Sequence, residues 1–301
     1  MQNDELKFGV IGMSEGNGHP YSWSAIMNGY DTNAMASCPF PVIPEYLVKQ
    51  QLPDEKIPGV KVTHIWTQEK SVSKHIAMAT KIPEIVDDYK QMLNQVDGIL
   101  LARDDPENHY EMSKPFLEAG LPIYIDKPIA NNIEILKKIY SHEKYEGQIF
   151  SCSALRFAKE FCLKKEDFDL LGKIFHVNAI VPKSWSKYSA HVIDPVLDMF
   201  NLYGEQCSVI GAPLEAQGRV VTVKWERGMT GTFSALGIDN APILIEIFGE
   251  NSNKRILFTD TFYAFKRALT LFIDGIREKK IITKRYELES LVDIVERGLL
   301  N

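Results

Sequence analysis

Short apolar runs alternate with amphipathic stretches through the first half of the chain. The apolar runs predict strands at residues 6–12, 60–66, 93–102 and 122–126. The stretches between them predict helices at residues 71–79, 87–93 and 109–118. Because strands alternate with helices, the pattern predicts a doubly wound parallel sheet of the Rossmann type, which we assign to residues 1–128.

The second half, residues 129–301, is richer in strands. Its pattern predicts strands at residues 148–154, 173–181, 207–210, 219–225, 229–236, 243–248 and 255–258. Predicted helices occupy residues 131–145, 262–277 and 286–299. Glycines and asparagines separate the later strands, as antiparallel hairpins require. We therefore expect a second, α+β domain with a mostly antiparallel open sheet.

Composition excludes several classes of protein. The 301 residues are 45% apolar and 25% charged, which is ordinary for a globular chain large enough for two domains. The net charge of −6 argues against a nucleic-acid partner. No apolar run reaches the length of about 18 residues that a membrane span needs. The polar N-terminus argues against a signal peptide. We expect a soluble cytoplasmic protein.

The four cysteines are scattered along the chain, without a CxxC pair or histidines at zinc spacing. They are Cys38, Cys152, Cys162 and Cys207. We interpret them as reduced thiols and expect no metal site.

A glycine-rich loop follows the first strand. Gly12, Gly16 and Gly18 give the spacing GxxxGxG in place of GxGxxG. Such glycines let main-chain N–H groups approach a pyrophosphate next to a helix N-terminus, and Pro20 suits the first helical position. Glu15 would repel phosphate unless it faces solvent. The loop is therefore either a phosphate cradle or a structural turn.

Residues 31–58 form a detour that a simple βαβ crossover does not need, with a predicted helix at 45–52. This segment either lies over the cofactor crevice as a lid or covers the edge of the sheet.

The end of the second strand bears on the choice between NAD and NADP. An acid there would favour NAD by holding the ribose hydroxyls. Glu69 comes two residues late, and Thr67, Gln68 and Lys70 could instead face a 2′-phosphate. The choice stays open.

Two further positions carry candidate chemistry. Lys127 follows the fourth strand, where open α/β sheets bind ligands, and Pro128 restricts its backbone. The alternative is a charged turn.

His191 and Asp194 are three residues apart on a predicted helix, so a carboxylate could orient an imidazole for acid–base catalysis. The alternative is a histidine buried in a helix interface.

Several segments together resemble the glucose–fructose oxidoreductase / inositol dehydrogenase / MocA family. The segment VDGILLARDDPENHYEMSKPFLEAGLPIYIDKP is similar to a stretch of that family that runs from a strand, through a histidine and a glycine, to the motif EKP. His109 and Gly120 occupy the positions of that histidine and glycine. LRFA, HVIDPVLDMFNLYG and FIDGIREKKIITKRYELESLVDIVE resemble its later motifs. The resemblance covers nearly the whole chain and implies a Rossmann domain followed by a domain for substrate binding and oligomerisation.

The resemblance also implies roles for individual residues. Lys127 would lie near the nicotinamide, and His191 would exchange a proton with the substrate hydroxyl. Lys187 stands where the family usually carries an aspartate, and could act with a phosphorylated or carboxylated substrate or be a solvated lysine. The cofactor, NAD or NADP, would contact Gly12, Gly16, Gly18, Thr67, Ala102, Asp126 and Lys127. The substrate would contact Arg156, Tyr188 and Asp194.

Three functions are compatible with these features. The leading one is an NAD(P)-dependent oxidoreductase acting on a secondary alcohol or carbonyl of a sugar, polyol or related metabolite. A non-catalytic dinucleotide- or metabolite-binding protein and a redox-neutral, NAD-using glycoside-cleaving enzyme are alternatives. Alternation of apolar and polar residues over 221–225 indicates one exposed sheet face, and we expect a homo-oligomer, dimer or tetramer.

Overall fold

A computed structural model describes residues 5–52 and 54–300. Residues 1–4 of the polar N-terminus, residue 53 of the 31–58 detour and residue 301 lie outside the described residues. The chain forms two compact units, each built from three segments. The first contains residues up to 126, 138–151 and 268–282, and the second contains 127–137, 152–267 and the residues from 283 onwards. The domain boundary at residue 128 stays a prediction.

The first unit contains a parallel sheet of six strands. Its strands are β1 (Leu6–Ile11), β2 (Val60–Trp66), β3 (Glu84–Ile85), β4 (Gly98–Leu101), β5 (Ile123–Ile125) and β6 (Ile149–Phe150). The strand order is β3-β2-β1-β4-β5-β6, and every pair is parallel, so the predicted doubly wound sheet is confirmed. The order reverses between β1 and β4, which is where such sheets bind ligands at the carboxyl ends of the strands.

The helices from the first half of the chain differ from the prediction in detail. They are α1 (His19–Asn28), α2 (Thr32–Met35), α3 (Val42–Leu47), α4 (Lys70–Thr80), α5 (His109–Glu118) and α6 (Ile133–Tyr140). The helix predicted at 45–52 begins earlier because Pro44 lies in its first turn, where a helix leaves N–H groups unpaired. The helix predicted at 87–93 is a single 3-10 turn, Tyr89–Met92.

The second unit contains a six-stranded, mostly antiparallel sheet, as predicted. Its strands are β7 (Ile174–Val181), β8 (Cys207–Pro213), β9 (Arg219–Trp225), β10 (Thr230–Ala235), β11 (Leu244–Gly249) and β12 (Asn253–Leu257). The order is β12-β11-β7-β10-β9-β8, and only β7 and β10 run parallel among these described strands. The remaining helices are α7 (Lys165–Leu171), α8 (Trp185–Tyr188), α9 (Ala190–Met199), α10 (Thr261–Glu278) and α11 (Arg285–Leu300).

One face of this second sheet is buried and the other is open. Val177, Val223 and Phe233 point to the buried face, while Thr222 and Lys224 lie on the open face. The four cysteines, all of which lie within the described residues, form no disulfide bond there. Within the described ranges, none of the helices combines the length and apolar character that crossing a membrane would require.

Candidate active site

The three loop glycines have different structural reasons to be glycine. A Cβ on Gly12 would lie 2.5 Å from Cγ of Pro20, and a Cβ on Gly18 would lie 2.5 Å from Cδ1 of Ile43. Both glycines therefore allow close packing around the start of α1. Gly16 has φ +77° and nothing within 4 Å of its Cβ position, so it is needed for its backbone conformation and faces open space.

The loop also offers main-chain donors. Within residues 5–52 and 54–300, the N–H groups of Ser14, Gly16 and Gly18 donate to no protein acceptor. Helix α1 begins at His19, directly after them, so its positive dipole end adds to the donors. Open space in front of Gly16 and three available donors fit a dinucleotide pyrophosphate.

Side chains tie this loop to the ends of three strands. Gln68, after β2, accepts from Met13 N–H at 3.0 Å and donates to Met13 O at 2.5 Å. Ser14 Oγ donates to Asp104, after β4, at 2.6 Å. Asn17 Nδ2 donates to Asp126, after β5, at 2.9 Å. These bonds hold the lengthened loop to the ends of β2, β4 and β5.

Asp126 also bonds to a histidine that sequence reasoning missed. His19 Nδ1 lies 2.5 Å from Asp126 Oδ2, and the imidazole stacks on Trp23 with ring centroids 5.0 Å apart. Asp126 is buried, and Asn17 and His19 both contact the same oxygen, Oδ2. The polar residues between Gly16 and Pro20 were the available sequence signal for this contact.

The residues predicted to select the cofactor have other partners. Thr67 is buried and its hydroxyl donates to Glu69 O and pairs with Ser73, which secures the start of α4. Lys70 forms a 2.6 Å ion pair with Asp87 on the surface. Gln68 hydrogen-bonds to the glycine loop, and Cγ2 of Thr67 lies 3.6 Å from the position that a Cβ on Gly12 would take. The roles of these side chains in cofactor binding stay predictions.

Arg103 is a second residue that sequence reasoning missed. Its guanidinium donates to Gln68 Oε1 at 3.1 Å and to both carboxylate oxygens of Asp105, at 2.8 and 2.5 Å. The neighbouring Ala102 N–H donates to Ile11 O at 2.8 Å, which fixes the end of β4 against β1. A guanidinium thus lies beside the glycine loop, neutralised by Asp105.

The 31–58 detour supports the glycine loop from the helix side. Phe40 and Ile43 pack against Gly18, and Tyr46 OH donates to Ser22 Oγ of α1 at 2.5 Å. The detour therefore packs on α1 within the first unit.

In the second unit, Lys127 lies beside an aromatic ring. Its side chain is buried, and Nζ donates to the main-chain oxygen of Lys187 at 3.2 Å. Nζ also lies 5.1 Å from the ring centroid of Tyr188. The contribution of Lys187 to this contact is its carbonyl group. The Lys127–Pro128 peptide bond is cis.

His191 is oriented by a serine. Its Nδ1 lies 3.0 Å from Oγ of Ser153, and its ring meets the edge of Tyr188 at 5.2 Å between centroids. Ser153 N–H donates to the buried carboxylate of Asp194 at 2.8 Å, and Tyr203 OH donates to the same carboxylate at 2.5 Å. Burial raises the pKa of the Asp194 carboxyl. Asp194 thus holds Ser153 in place, and Ser153 in turn contacts the imidazole of His191.

Arg156 is held by two carboxylates. Its guanidinium lies 2.7 Å from Asp198 on α9 and 2.8 Å from Glu287 on α11, and only 9% of its side chain is exposed. These ion pairs join two helices, and the role of Arg156 in substrate binding stays a prediction.

Across the described residues, no cluster of three or more histidine, cysteine or acidic side chains could hold a metal ion.

Comparison with protein families identifies the first part of the chain. Residues 6–153 match the model of the Gfo/Idh/MocA family, an oxidoreductase family with an NAD-binding Rossmann fold. No curated protein sequence matches the chain.

Solved structures share the whole fold at low sequence identity. GenD2 from gentamicin A biosynthesis, solved in complex with NAD, has a TM-score of 0.76 and 11% identity, covering 99% of this chain and 94% of its own. The myo-inositol 2-dehydrogenase of Lactobacillus plantarum has a TM-score of 0.72 and 14% identity, covering 99% and 97%. The myo-inositol dehydrogenase of Lactobacillus casei, in complex with NAD(H) and myo-inositol, has a TM-score of 0.72 and 14% identity, covering 98% and 95%.

Proposed function

We propose a reaction for this chain from one premise: it belongs, through residues 6–153, to the Gfo/Idh/MocA oxidoreductase family with its NAD-binding Rossmann fold. The proposed reaction is the reversible oxidation of a secondary alcohol of a sugar, polyol or related metabolite to a carbonyl, with NAD or NADP as the oxidant. The glycine loop carries this proposal, because it presents three main-chain donors and open space at the carboxyl end of β1.

The chemistry divides between cofactor and protein. When bound, the nicotinamide accepts or supplies the hydride. Oxidation of the alcohol also releases the hydroxyl hydrogen as a proton, which a protein group has to accept. His191 would accept it, because an imidazole can take up a proton and the contact of its Nδ1 with Ser153 Oγ holds the ring in position.

Lys127 has the complementary role in this proposal. In the reverse reaction, the reduction of the carbonyl, negative charge develops on the carbonyl oxygen. A buried ammonium would stabilise that charge. The carbonyl of Lys187 and the ring of Tyr188 hold the ammonium in one position. A charge that is already oriented needs no rearrangement during the reaction.

The first experiment is a titration of the protein with NADH and with NADPH, followed by the quenching of tryptophan fluorescence. We expect micromolar binding of one of the two, as is usual for cofactors of this kind. Production of reduced cofactor from a panel of sugars and polyols then tests the reaction. A folded protein that binds neither cofactor would contradict the proposal and favour a non-catalytic binding protein.

We further propose that the open face of the second sheet binds a second copy of the chain. Ile210, Phe248 and Leu257 lie on this face and are 70%, 41% and 50% exposed. Leu257 lies on the edge strand β12, Phe248 on its neighbour β11 and Ile210 on the opposite edge strand β8, so apolar side chains are exposed at both edges of the face that would meet its copy.

The substitution Ile210→Lys should therefore shift the protein from oligomer towards monomer, since it places a charge in the interface. Size-exclusion chromatography with light scattering measures the change in molar mass. Val48→Lys is the matched control, because Val48 is also 70% exposed but lies in the 31–58 detour. A monomeric wild-type protein at micromolar concentration would rule out the proposed interface.

A further inference from the structure

The hydroxyl oxygen of Tyr203 lies within hydrogen-bonding distance of two oxygens of Asp194. It is 2.5 Å from Oδ1 of the side chain and 3.1 Å from the main-chain oxygen. A phenol has one hydrogen, so it can fully serve only one of these two acceptors. Burial raises the pKa of the Tyr203 phenol, so the phenol keeps that hydrogen. With an ionised Asp194, one of the two short oxygen–oxygen contacts would lack a hydrogen of its own.

A proton on Oδ1 of Asp194 satisfies both contacts. The carboxyl group then donates to the Tyr203 oxygen across the 2.5 Å contact, in place of the donation that an ionised carboxylate would receive. Tyr203 is left to donate its hydrogen to the main-chain oxygen at 3.1 Å. The second side-chain oxygen, Oδ2, accepts from Ser153 N–H at 2.8 Å. Each of the three contacts then contains one hydrogen.

The charges around Asp194 also favour its neutral form. The residue is 2% exposed, and its side chain bonds to uncharged donors among the described residues. The guanidinium of Arg156 is paired with Asp198 and Glu287, at 2.7 and 2.8 Å. Burial raises the pKa of the Asp194 carboxyl, and the charge of Asp198 acts in the same direction, although Arg156 opposes both. A third carboxylate beside one guanidinium would be a buried charge without full compensation.

We propose that Asp194 keeps its proton at neutral pH and that Tyr203 is a positioning residue, which holds this neutral carboxyl group against Ser153. Ser153 Oγ in turn lies 3.0 Å from Nδ1 of His191. The catalytic consequence rests on the proposed function, because His191 accepts the proton in that reaction. Its imidazole is then oriented through a series of neutral groups.

The pH dependence of unfolding tests the charge of Asp194 without cofactor or substrate. A carboxyl that stays protonated in the folded protein but ionises in the unfolded chain loses stability as the pH rises above its ordinary pKa. From about pH 5 to pH 7, the unfolding constant of wild type should therefore rise about tenfold per pH unit relative to that of Asp194→Asn. Urea unfolding measures both constants. A ratio that is constant, or that stops rising before pH 7, would show that Asp194 is ionised at neutral pH.

Asp293→Asn is the matched control for this series. Asp293 belongs to the same unit, is half-exposed and forms a 2.8 Å ion pair with Arg297 on α11. Because it is a carboxylate over this whole pH range, its replacement should give a ratio that does not change with pH.

Tyr203→Phe tests the positioning role. Without the hydroxyl, the O–H of Asp194 loses its acceptor, so the infrared band of its carboxylic C=O group should shift in the difference spectrum between variant and wild type. The kcat for the best alcohol should fall about tenfold, the effect of one lost hydrogen bond, while the KM and the affinity for NADH stay the same. A merely structural tyrosine would lower the melting temperature and leave kcat unchanged.

Tyr286→Phe is the control, because the Tyr286 hydroxyl lies in the same unit and forms no hydrogen bond within residues 5–52 and 54–300. It should change neither the infrared band nor kcat. A difference spectrum of Tyr203→Phe without any carboxylic band would contradict a neutral Asp194, and an unchanged kcat would contradict the positioning role. The unfolding and infrared results need neither cofactor nor substrate, so they decide the charge of Asp194 even if the proposed reaction fails.

Discussion

Replacement of Lys127 by methionine should lower turnover about 100-fold or more, with little change in the affinity for NADH. The expected loss is that of a pre-oriented charge next to a developing oxyanion. Methionine keeps an unbranched chain of similar length, so the packing around Tyr188 should survive. Steady-state kinetics with the best alcohol from the substrate panel measures kcat, and fluorescence titration measures cofactor affinity.

Lys90→Met is the matched control for this substitution. Lys90 also lies over an aromatic ring, 5.9 Å from the centroid of Tyr89, but its side chain is exposed and it follows β3 in the first unit. Its replacement removes the same charge and should leave kcat unchanged. Turnover by Lys127→Met within about threefold of wild type would show that Lys127 is a structural residue, since even one lost hydrogen bond to a charged group costs more than that.

The strands could be predicted because their signals are local. The boundaries of β2, Val60–Trp66, and β9, Arg219–Trp225, agree with the prediction, since each run has apolar residues at a period typical of strands and a turn at its end. Helix α3 begins three residues before the predicted helix at 45–52 and ends five residues before its predicted end, with Pro44 in its first turn. A proline in the first turn of a helix is compatible with the helix.

The side-chain partners could not be predicted, because they join distant parts of the sequence. Arg156 bonds to Glu287, which is 131 residues away, and His191 bonds to Ser153, which is 38 residues away. Spacing on one helix suggested that Asp194 orients His191 directly. The fold instead places Ser153 between them, with its N–H on the carboxylate and its hydroxyl on the imidazole.

Lys183 shows the same limit for backbone conformation. A lysine after a strand carries no sequence signal for a left-handed residue, because only glycine and, less often, asparagine or aspartate mark such positions. The long-range bonds to Ile238 and Gly237 impose the conformation.

Gly16→Ala should weaken the binding of NADH about 10- to 100-fold and lower the stability by about 1 kcal/mol. The stability loss comes from a Cβ on a left-handed residue. The affinity loss comes from that Cβ entering the space before the loop, where it would disturb one or more charge-assisted bonds to the pyrophosphate.

Gly120→Ala is the control: Gly120 has φ +79° and nothing within 4 Å of its Cβ position, but it follows the end of α5 away from the loop. Both variants should lose similar stability in urea unfolding, and only Gly16→Ala should lose cofactor affinity. Equal affinities would show that the glycine loop is a structural turn and that a dinucleotide, if bound, contacts other groups.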